Sequence, residues 1–216
     1  MIKDTRLEKI TTLILARHGA PLIETDGEGR QITYAIDVPL VDIGKSQIEI
    51  LGEKIKARGL LPLKVYSSPS RRTQESARKF TELFGIPNPI LESDLRDVEG
   101  PSKPVTYKEL EAVGGETYSR EVLETLDQRA RLFISEIVIR EKGNTVALFS
   151  HGDVIRVIRE RFEHPEGPIR SMREMSKSNY LKPGEAWILQ YDEEGKPLAF
   201  DFIGQTSDQP QARTYP

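Results

Sequence analysis

The chain contains no cysteine, which excludes a disulfide framework, a thiolate nucleophile and a Cys-ligated metal or iron–sulfur centre. Histidine is scarce too, at three residues in 216, so two of them placed alike carry weight. Charge of one sign is not in excess. Lys+Arg 31 against Asp+Glu 34 leaves a formal −3, and no global positive field draws in nucleic acid or an anionic membrane. Neither is expected as a partner, and any basic site must be local. Long hydrophobic runs are missing as well: the apolar stretches fall far short of the ~20 residues of a membrane-spanning helix. The opening MIKDTRLEKI alternates charge with apolar residues and has no apolar signal core. The expected compartment is cytoplasmic, and the oligomeric state is left open.

With 37% hydrophobic residues the chain can bury a substantial core, and its length favours one domain, taken as 1–205 with a polar, mobile tail at 206–216. No internal repeat or shift of composition marks a second unit. Thr12–Ala16 (TLILA) is a short continuous apolar run, as suits a strand covered on both faces, and it leads directly into Arg17-His18-Gly19. Ile48, Leu51 and Ile55 fall at helical spacing between Asp42, a candidate cap, and Gly59. Leu63–Tyr66 is a second strand. Ser68 and Pro69 are then placed to cap and open a helix that turns Ala77, Phe80 and Phe84 inward.

Ile90–Leu95 reads as a further extended segment, followed by the loop text GPSKP. From about Glu116 to Arg140, Val122, Leu126, Ala130, Phe133 and Ile137 step by three or four, and Lys142-Gly143-Asn144 ends that helix. Thr145–Phe149 is a buried strand delivering Ser150-His151-Gly152 ahead of a helix with Val154, Ile155, Ile158 and Phe162 inward. Trp187–Tyr191 and Pro197–Phe202 form a closing hairpin, with Pro197 at a strand start or edge. Strands alternating with helices predict an α/β fold: a mostly parallel sheet with helices on both faces, a three-layer sandwich. Ligands bind such folds outside the carboxyl ends of the strands.

Arg17-His18-Gly19 sits at such an end, where the arginine offers a planar fork of donors suited to phosphate oxygens. Ser150-His151-Gly152-Asp153 repeats the order of strand, His-Gly, helix; if the two strands are neighbours, the imidazoles converge. Ser68-Pro69-Ser70-Arg71-Arg72 opens a helix with a basic pair, unfavourable against the helix dipole unless an anion is bound there. Of the pair, Arg72 is taken to face the ligand and Arg71 to be salt-bridged at the surface. His164 falls near a helix end and reads as structural. The charged run from Arg156 to Lys177 reads as a solvated face, and Glu24 as a solvated loop residue.

The segments LILARHG, Asp37-Val38-Pro39-Leu40 with Gly44 and Gln47, SSPSRRTQESA, Leu95-Arg96-Asp97 and VALFSHGDVIRVI occur in an order that resembles the histidine phosphatase superfamily, also called the phosphoglycerate mutase-like family. The resemblance runs from about Thr12 to Phe202. It implies that His18 is phosphorylated, that Arg17, Arg72 and His151 hold the phosphoryl oxygens, and that a carboxyl group after the third strand protonates the leaving oxygen. The physical chemistry of the residues agrees: a neutral imidazole attacks phosphorus in line while two guanidiniums and a second imidazole neutralise the equatorial oxygens. No cofactor or metal is called for. Asp97 is the candidate acid, with Glu99 two residues on as its alternative, and its pKa is expected to be raised. The family more often has glutamate at this place. It also often carries Ser or Thr and then Asn after RHG, where this chain has Ala20-Pro21-Leu22-Ile23-Glu24. The implied activity is a metal-independent phosphatase, or phosphoric monoester hydrolase, acting on a phosphorylated small molecule or a phosphoprotein. The alternatives are a phosphoglycerate mutase-type phosphotransferase, disfavoured by the short 100–118 segment without an LNER-type text, and a non-catalytic phosphate or phosphopeptide binder.

Overall fold

The computed structural model describes residues 9–31, 38–98, 120–172, 174–175 and 179–206, the side chains of 120–122 excepted. Among them a six-stranded sheet has strands β1 (Thr11–Arg17), β2 (Lys64–Ser67), β3 (Ile90–Leu91), β4 (Thr145–Ser150), β5 (Ala186–Tyr191) and β6 (Pro197–Ile203), in the order β3-β2-β4-β1-β5-β6. The pairs β3·β2, β2·β4 and β4·β1 are parallel, whereas β1·β5 and β5·β6 are antiparallel. The helices are α1 (Asp42–Ala57), α2 (Arg71–Phe84), α3 (Arg120–Arg140) and α4 (Gly152–Glu163).

Alternation along β1 divides the molecule into three layers. Leu13 and Leu15 pack with Leu126, Phe133 and Ile137 of α3 and Val154 and Ile158 of α4. Ile14 and Ala16 face the other way, onto Ile48, Leu51 and Ile55 of α1 and Ala77 and Phe80 of α2. A central strand covered on both faces has no polar side, which is why TLILA is continuously apolar. The registers Leu15↔Leu148 and Arg17↔Ser150 align the ends of β1 and β4. The two histidine motifs therefore leave the sheet side by side. Pro197 opens the edge strand β6, where its missing N–H is harmless.

Several local expectations shift. Val41, not Asp42, caps α1; Asp42 lies in the first turn, where its charge suits the helix dipole and pairs with Lys45. Ser68 and Pro69 lie before α2, whose cap is Ser70. Ser68 instead extends β2, donating its N–H to Phe149 O at 3.0 Å. The extended segment at Ile90–Leu95 is limited to β3; Ser93–Leu95 turns tightly so that Leu95 is buried. The charged run from Arg156 to Lys177 divides: Glu163, Glu166, Arg170 and Glu174 are exposed, as a solvated face requires, but most of its helical part is not. Arg156, Arg159, Glu160 and Arg161 are all buried. Arg161 is held by Asp127 of α3 (Nη2 to Oδ2, 2.6 Å), and the Arg159 guanidinium lies 3.7 Å from the Phe200 ring centroid and 4.8 Å from that of Trp187. Those aromatic partners come from the β5–β6 hairpin, and a cation over a ring face is attracted electrostatically. No helix among the described residues is long and apolar enough to cross a membrane. Asp37, Glu99 and residues 207–216 of the expected tail lie outside the described residues.

Candidate active site

His18 leaves β1 with its N–H donated to Ser150 O at 3.2 Å, which ties the first histidine motif to the second. The turn that follows is held by two side chains from the neighbouring helices α2 and α1: Gly19 N–H donates to Ser76 Oγ at 3.0 Å and Ala20 N–H to Gln47 Oε1 at 2.8 Å. It also needs glycine. A Cβ on Gly19 would stand 2.2 Å from Gly44 O, and one on Gly44 would stand 2.2 Å from Ala20 O. These two backbones approach so closely that the first turn of α1 fixes the path of the chain past His18.

The His18 ring is buried and its Nδ1 lies 2.7 Å from Gly19 O. A carbonyl only accepts, so the hydrogen sits on Nδ1 and Nε2 keeps its lone pair. Burial, and after it the charges of Arg17, His151 and Arg72, hold the His18 pKa well below its ordinary value, against a small opposing effect of the Gly19 carbonyl. At neutral pH this imidazole is uncharged and its free nitrogen is nucleophilic. The His151 ring stands 5.4 Å away, centroid to centroid, at a steep angle of 61°. Burial lowers its pKa as well, with Asp97 pulling the other way.

Around the two rings stand the cations. Arg17 donates from Nη1 to Leu181 O at 2.7 Å, and its guanidinium carbon lies 5.0 Å from the Tyr180 ring centroid. Its buried Nε has no hydrogen-bond partner among the described residues. Buried donors are usually satisfied, and this one lies on a guanidinium beside two imidazoles. Arg72 comes from the first turn of α2, buried, and its Nη2 lies 2.7 Å from Asp97 Oδ2 and 3.1 Å from His151 Nδ1. His151 Nδ1 is itself 3.2 Å from the same Asp97 oxygen. Arg72 Nη2 and His151 Nδ1 thus both lie against one carboxylate oxygen, while Asp97 Oδ1 accepts from Val98 N–H at 3.0 Å. Burial pushes the Asp97 pKa up, but His151, Arg72 and His18 together outweigh it and hold the carboxyl well below the usual range. This is the reverse of the raised pKa expected from the sequence. The reason is specific: the Arg72 guanidinium and the His151 ring lie within 2.7 and 3.2 Å of the carboxylate itself.

The structure therefore brings Arg17, His18, Arg72, Asp97 and His151 to one place at the carboxyl ends of β1, β2 and β4. Arg71 is turned outward and pairs with Glu75 at 2.8 Å, and His164 stands at the exposed end of α4. Three participants in the geometry were not visible as such. Ser68 places its Oγ 2.9 Å from His151 Nε2; Tyr180 lies over Arg17 and against Gly152, where a Cβ would meet its ring at 2.6 Å; and Leu181 supplies a carbonyl to Arg17. A serine at a strand end looks like a cap, and nothing in the local text around Tyr180 points to a residue 163 positions earlier. The geometry offers a neutral imidazole with a free ring nitrogen, two guanidiniums and a second imidazole able to hold an anion, and a carboxylate beside them.

Residues 13–198 match the family model described as the histidine phosphatase superfamily (branch 1). The phosphoglycerate mutase-like protein 4 of Arabidopsis thaliana is 24% identical over 194 residues, 82% of this chain and 83% of that protein. The metal-independent phosphoserine phosphatase of the same plant is 26% identical over 176 residues, 72% of this chain and 71% of that one. Among solved structures, a mycobacterial glucosyl-3-phosphoglycerate phosphatase superposes with a TM-score of 0.67 at 20% identity, covering 89% of this chain and 97% of that one.

Proposed function

Since the chain belongs to the histidine phosphatase superfamily, branch 1, we propose that it hydrolyses phosphate monoesters through a covalent phosphohistidine on His18. The observation that carries this reading is the buried, neutral His18 with its hydrogen held on Nδ1 by Gly19, facing a group of anion-binding donors. His18 Nε2 attacks phosphorus, forming the N–P bond as the ester O–P bond breaks. Arg17, Arg72 and His151 Nδ1 hold the three equatorial oxygens, where charge gathers in the transition state. Asp97 gives its proton to the departing oxygen. Water then attacks the phosphohistidine, Asp97 takes a proton from it, the N–P bond breaks, and inorganic phosphate leaves with His18 restored.

Asp97 must be protonated for the first step, yet its resting partners favour the carboxylate. A phosphoryl group resolves this. Its oxygens take the same Arg72 and His151 donors, so the carboxyl loses its stabilising contacts and gains a dianion as neighbour, and both changes raise its pKa. The substrate class is a phosphorylated small molecule or a phosphoprotein. The metal-independent mechanism and a cytoplasmic setting belong to the same proposal.

The test is phosphate release from a panel of phosphomonoesters and a phosphopeptide in the presence of EDTA, comparing wild type with His18→Ala. Turnover that survives EDTA and vanishes in the variant supports the reading. A folded wild type that binds phosphate and turns over nothing on the panel makes the chain a binding module, and transfer of the phosphoryl group to a second acceptor in place of water makes it a phosphotransferase.

A further inference from the structure

His151 has two ring nitrogens and, when uncharged, one hydrogen to place on them. Which nitrogen bears it decides what the ring offers an anion: Nδ1–H is a donor, whereas a bare Nδ1 turns a lone pair toward the incoming oxygen. The surroundings of Nε2 settle the choice. Ser68 Oγ, fully buried, is 2.9 Å from Nε2 and Ser70 Oγ is 3.4 Å from it. The hydroxyl hydrogens can be traced. Thr73 Oγ1 lies 2.9 Å from Ser68 O and 2.7 Å from Ser70 O, and carbonyls only accept, so its hydrogen is committed to the backbone. Ser70 Oγ, 2.9 Å from Thr73 Oγ1, therefore donates to Thr73 and has no hydrogen left for the ring. Ser68 Oγ receives a long contact from Ser70 N–H at 3.4 Å, and among the described residues its own hydrogen has no acceptor other than His151 Nε2.

Nδ1 faces two groups with opposite demands: Arg72 Nη2 at 3.1 Å only donates and would take a lone pair there, whereas Asp97 wants a hydrogen. Arg72 Nη2 already has the Asp97 oxygen at 2.7 Å, while the Ser68 hydrogen has no second acceptor among the described residues, so the Ser68 side decides. Asp97 Oδ2 at 3.2 Å from Nδ1 is an attractive contact only if Nδ1 carries the hydrogen. With the hydrogen on Nε2, a carboxylate oxygen would face an imidazole lone pair, and the Ser68 hydrogen would be stranded in a buried site, where an unmade hydrogen bond costs most.

We infer that Ser68 is a positioning residue: by donating to Nε2 it holds His151 as the Nδ1–H form, the one that can donate to a phosphoryl oxygen. The inference rests on the phosphatase reading for its catalytic consequence, and its ring chemistry is measurable without turnover. Ser68 is fully buried against Nε2, not against the nitrogen that would meet a phosphoryl oxygen. Its effect passes through the second imidazole, as a second hydrogen-bond partner orients a ligating histidine.

The experiment is nitrogen-15 NMR of the histidine-labelled full chain, with His18→Ala and His164→Gln to assign the three rings, alongside calorimetric titration with inorganic phosphate. Wild type is expected to show the His151 hydrogen on Nδ1 at neutral pH. Ser68→Ala is expected to shift that hydrogen toward Nε2, weaken phosphate binding about tenfold and lower kcat/KM about tenfold, the scale of one buried neutral hydrogen bond. Ser68→Thr, which keeps a hydroxyl, should restore both. A wild-type spectrum with the hydrogen on Nε2 overturns the inference whether or not any variant folds. So does a Ser68→Ala protein with an unchanged ring spectrum, even if its turnover falls, because that loss would be structural. Should the wild type turn over no ester, the catalytic reading fails alone; the spectrum and the phosphate affinity still decide the role of Ser68.

Discussion

Replacing Asp97 by Asn separates the two things the carboxylate does. The side chain keeps its shape and loses its charge, so Arg72 and His151, now 2.7 and 3.2 Å from Oδ2, give up an internal anion that competes with phosphate. Two unit charges about 4 Å apart at an effective dielectric of about 20 repel by ~4 kcal/mol. The Asp97 side chain is 38% exposed, and solvent screening reduces that figure to about 1–2 kcal/mol. Inorganic phosphate is therefore expected to bind Asp97→Asn about tenfold more tightly than wild type, at about 1.4 kcal/mol per decade. Turnover should move the other way. Loss of a positioned general acid costs about 10²–10⁴ in kcat, most for an alkyl phosphate, whose alkoxide leaves poorly, and least for an aryl phosphate with an acidic phenol. Calorimetry in two buffers of different ionisation enthalpy adds a third readout: wild type should take up more protons than the variant on binding phosphate near neutral pH, the ionisation of phosphate itself being common to both. If Asp97→Asn binds phosphate no more tightly and hydrolyses an alkyl ester at the wild-type rate, Asp97 is neither the competing anion nor the acid.

The pH dependence follows from the histidines. The pKa values of His18 and His151 are lowered from 6.5, so the acid limb of kcat/KM should fall below pH 6.5. Stability, read by thermal melting, should decline as pH drops from that value toward the folded pKa values, because the unfolded chain binds more protons across that window. The depressed Asp97 carboxyl contributes stability that is present above its unfolded value and lost only at lower pH, as the folded value is passed. Gly44→Ala places a methyl 2.2 Å from a backbone oxygen that cannot step aside. A cost of about 3 kcal/mol should lower Tm by roughly 6–12 °C, and an unchanged melting curve would contradict the close approach. Tyr180→Leu should raise KM for a phosphate ester several-fold and by more than Tyr180→Phe does, since the ring face is what meets Arg17. Equal effects of both changes would refute the stacking role.

What the sequence discloses here is set by how local each signal is. The layers are legible because a strand buried on both faces has to be apolar throughout and a helix has to repeat near 3.6 residues. The convergence of His18 and His151 is legible because each follows a strand, so a single assumption, that those strands are neighbours, places both. Asp97 could be found by its position, but the direction of its pKa could not, since that depends on Arg72 and His151 lying within 2.7 and 3.2 Å of one oxygen. The buried charges of α4 escape for the same reason. Arg159 lies over Trp187 and Phe200, 28 and 41 positions later in the chain, and periodicity cannot tell a cation sheltered by distant aromatics from one in water. Ser68 is the sharpest case. Read locally, a serine before proline at a strand end is a cap, and the cap turns out to be Ser70. Ser68 gains its meaning only when β4 is laid beside β2 and brings His151 to its hydroxyl. The groups that react can be named from the text around them; the groups that fix where the hydrogens sit on those reacting groups are contributed by neighbouring strands and appear only once the sheet has closed.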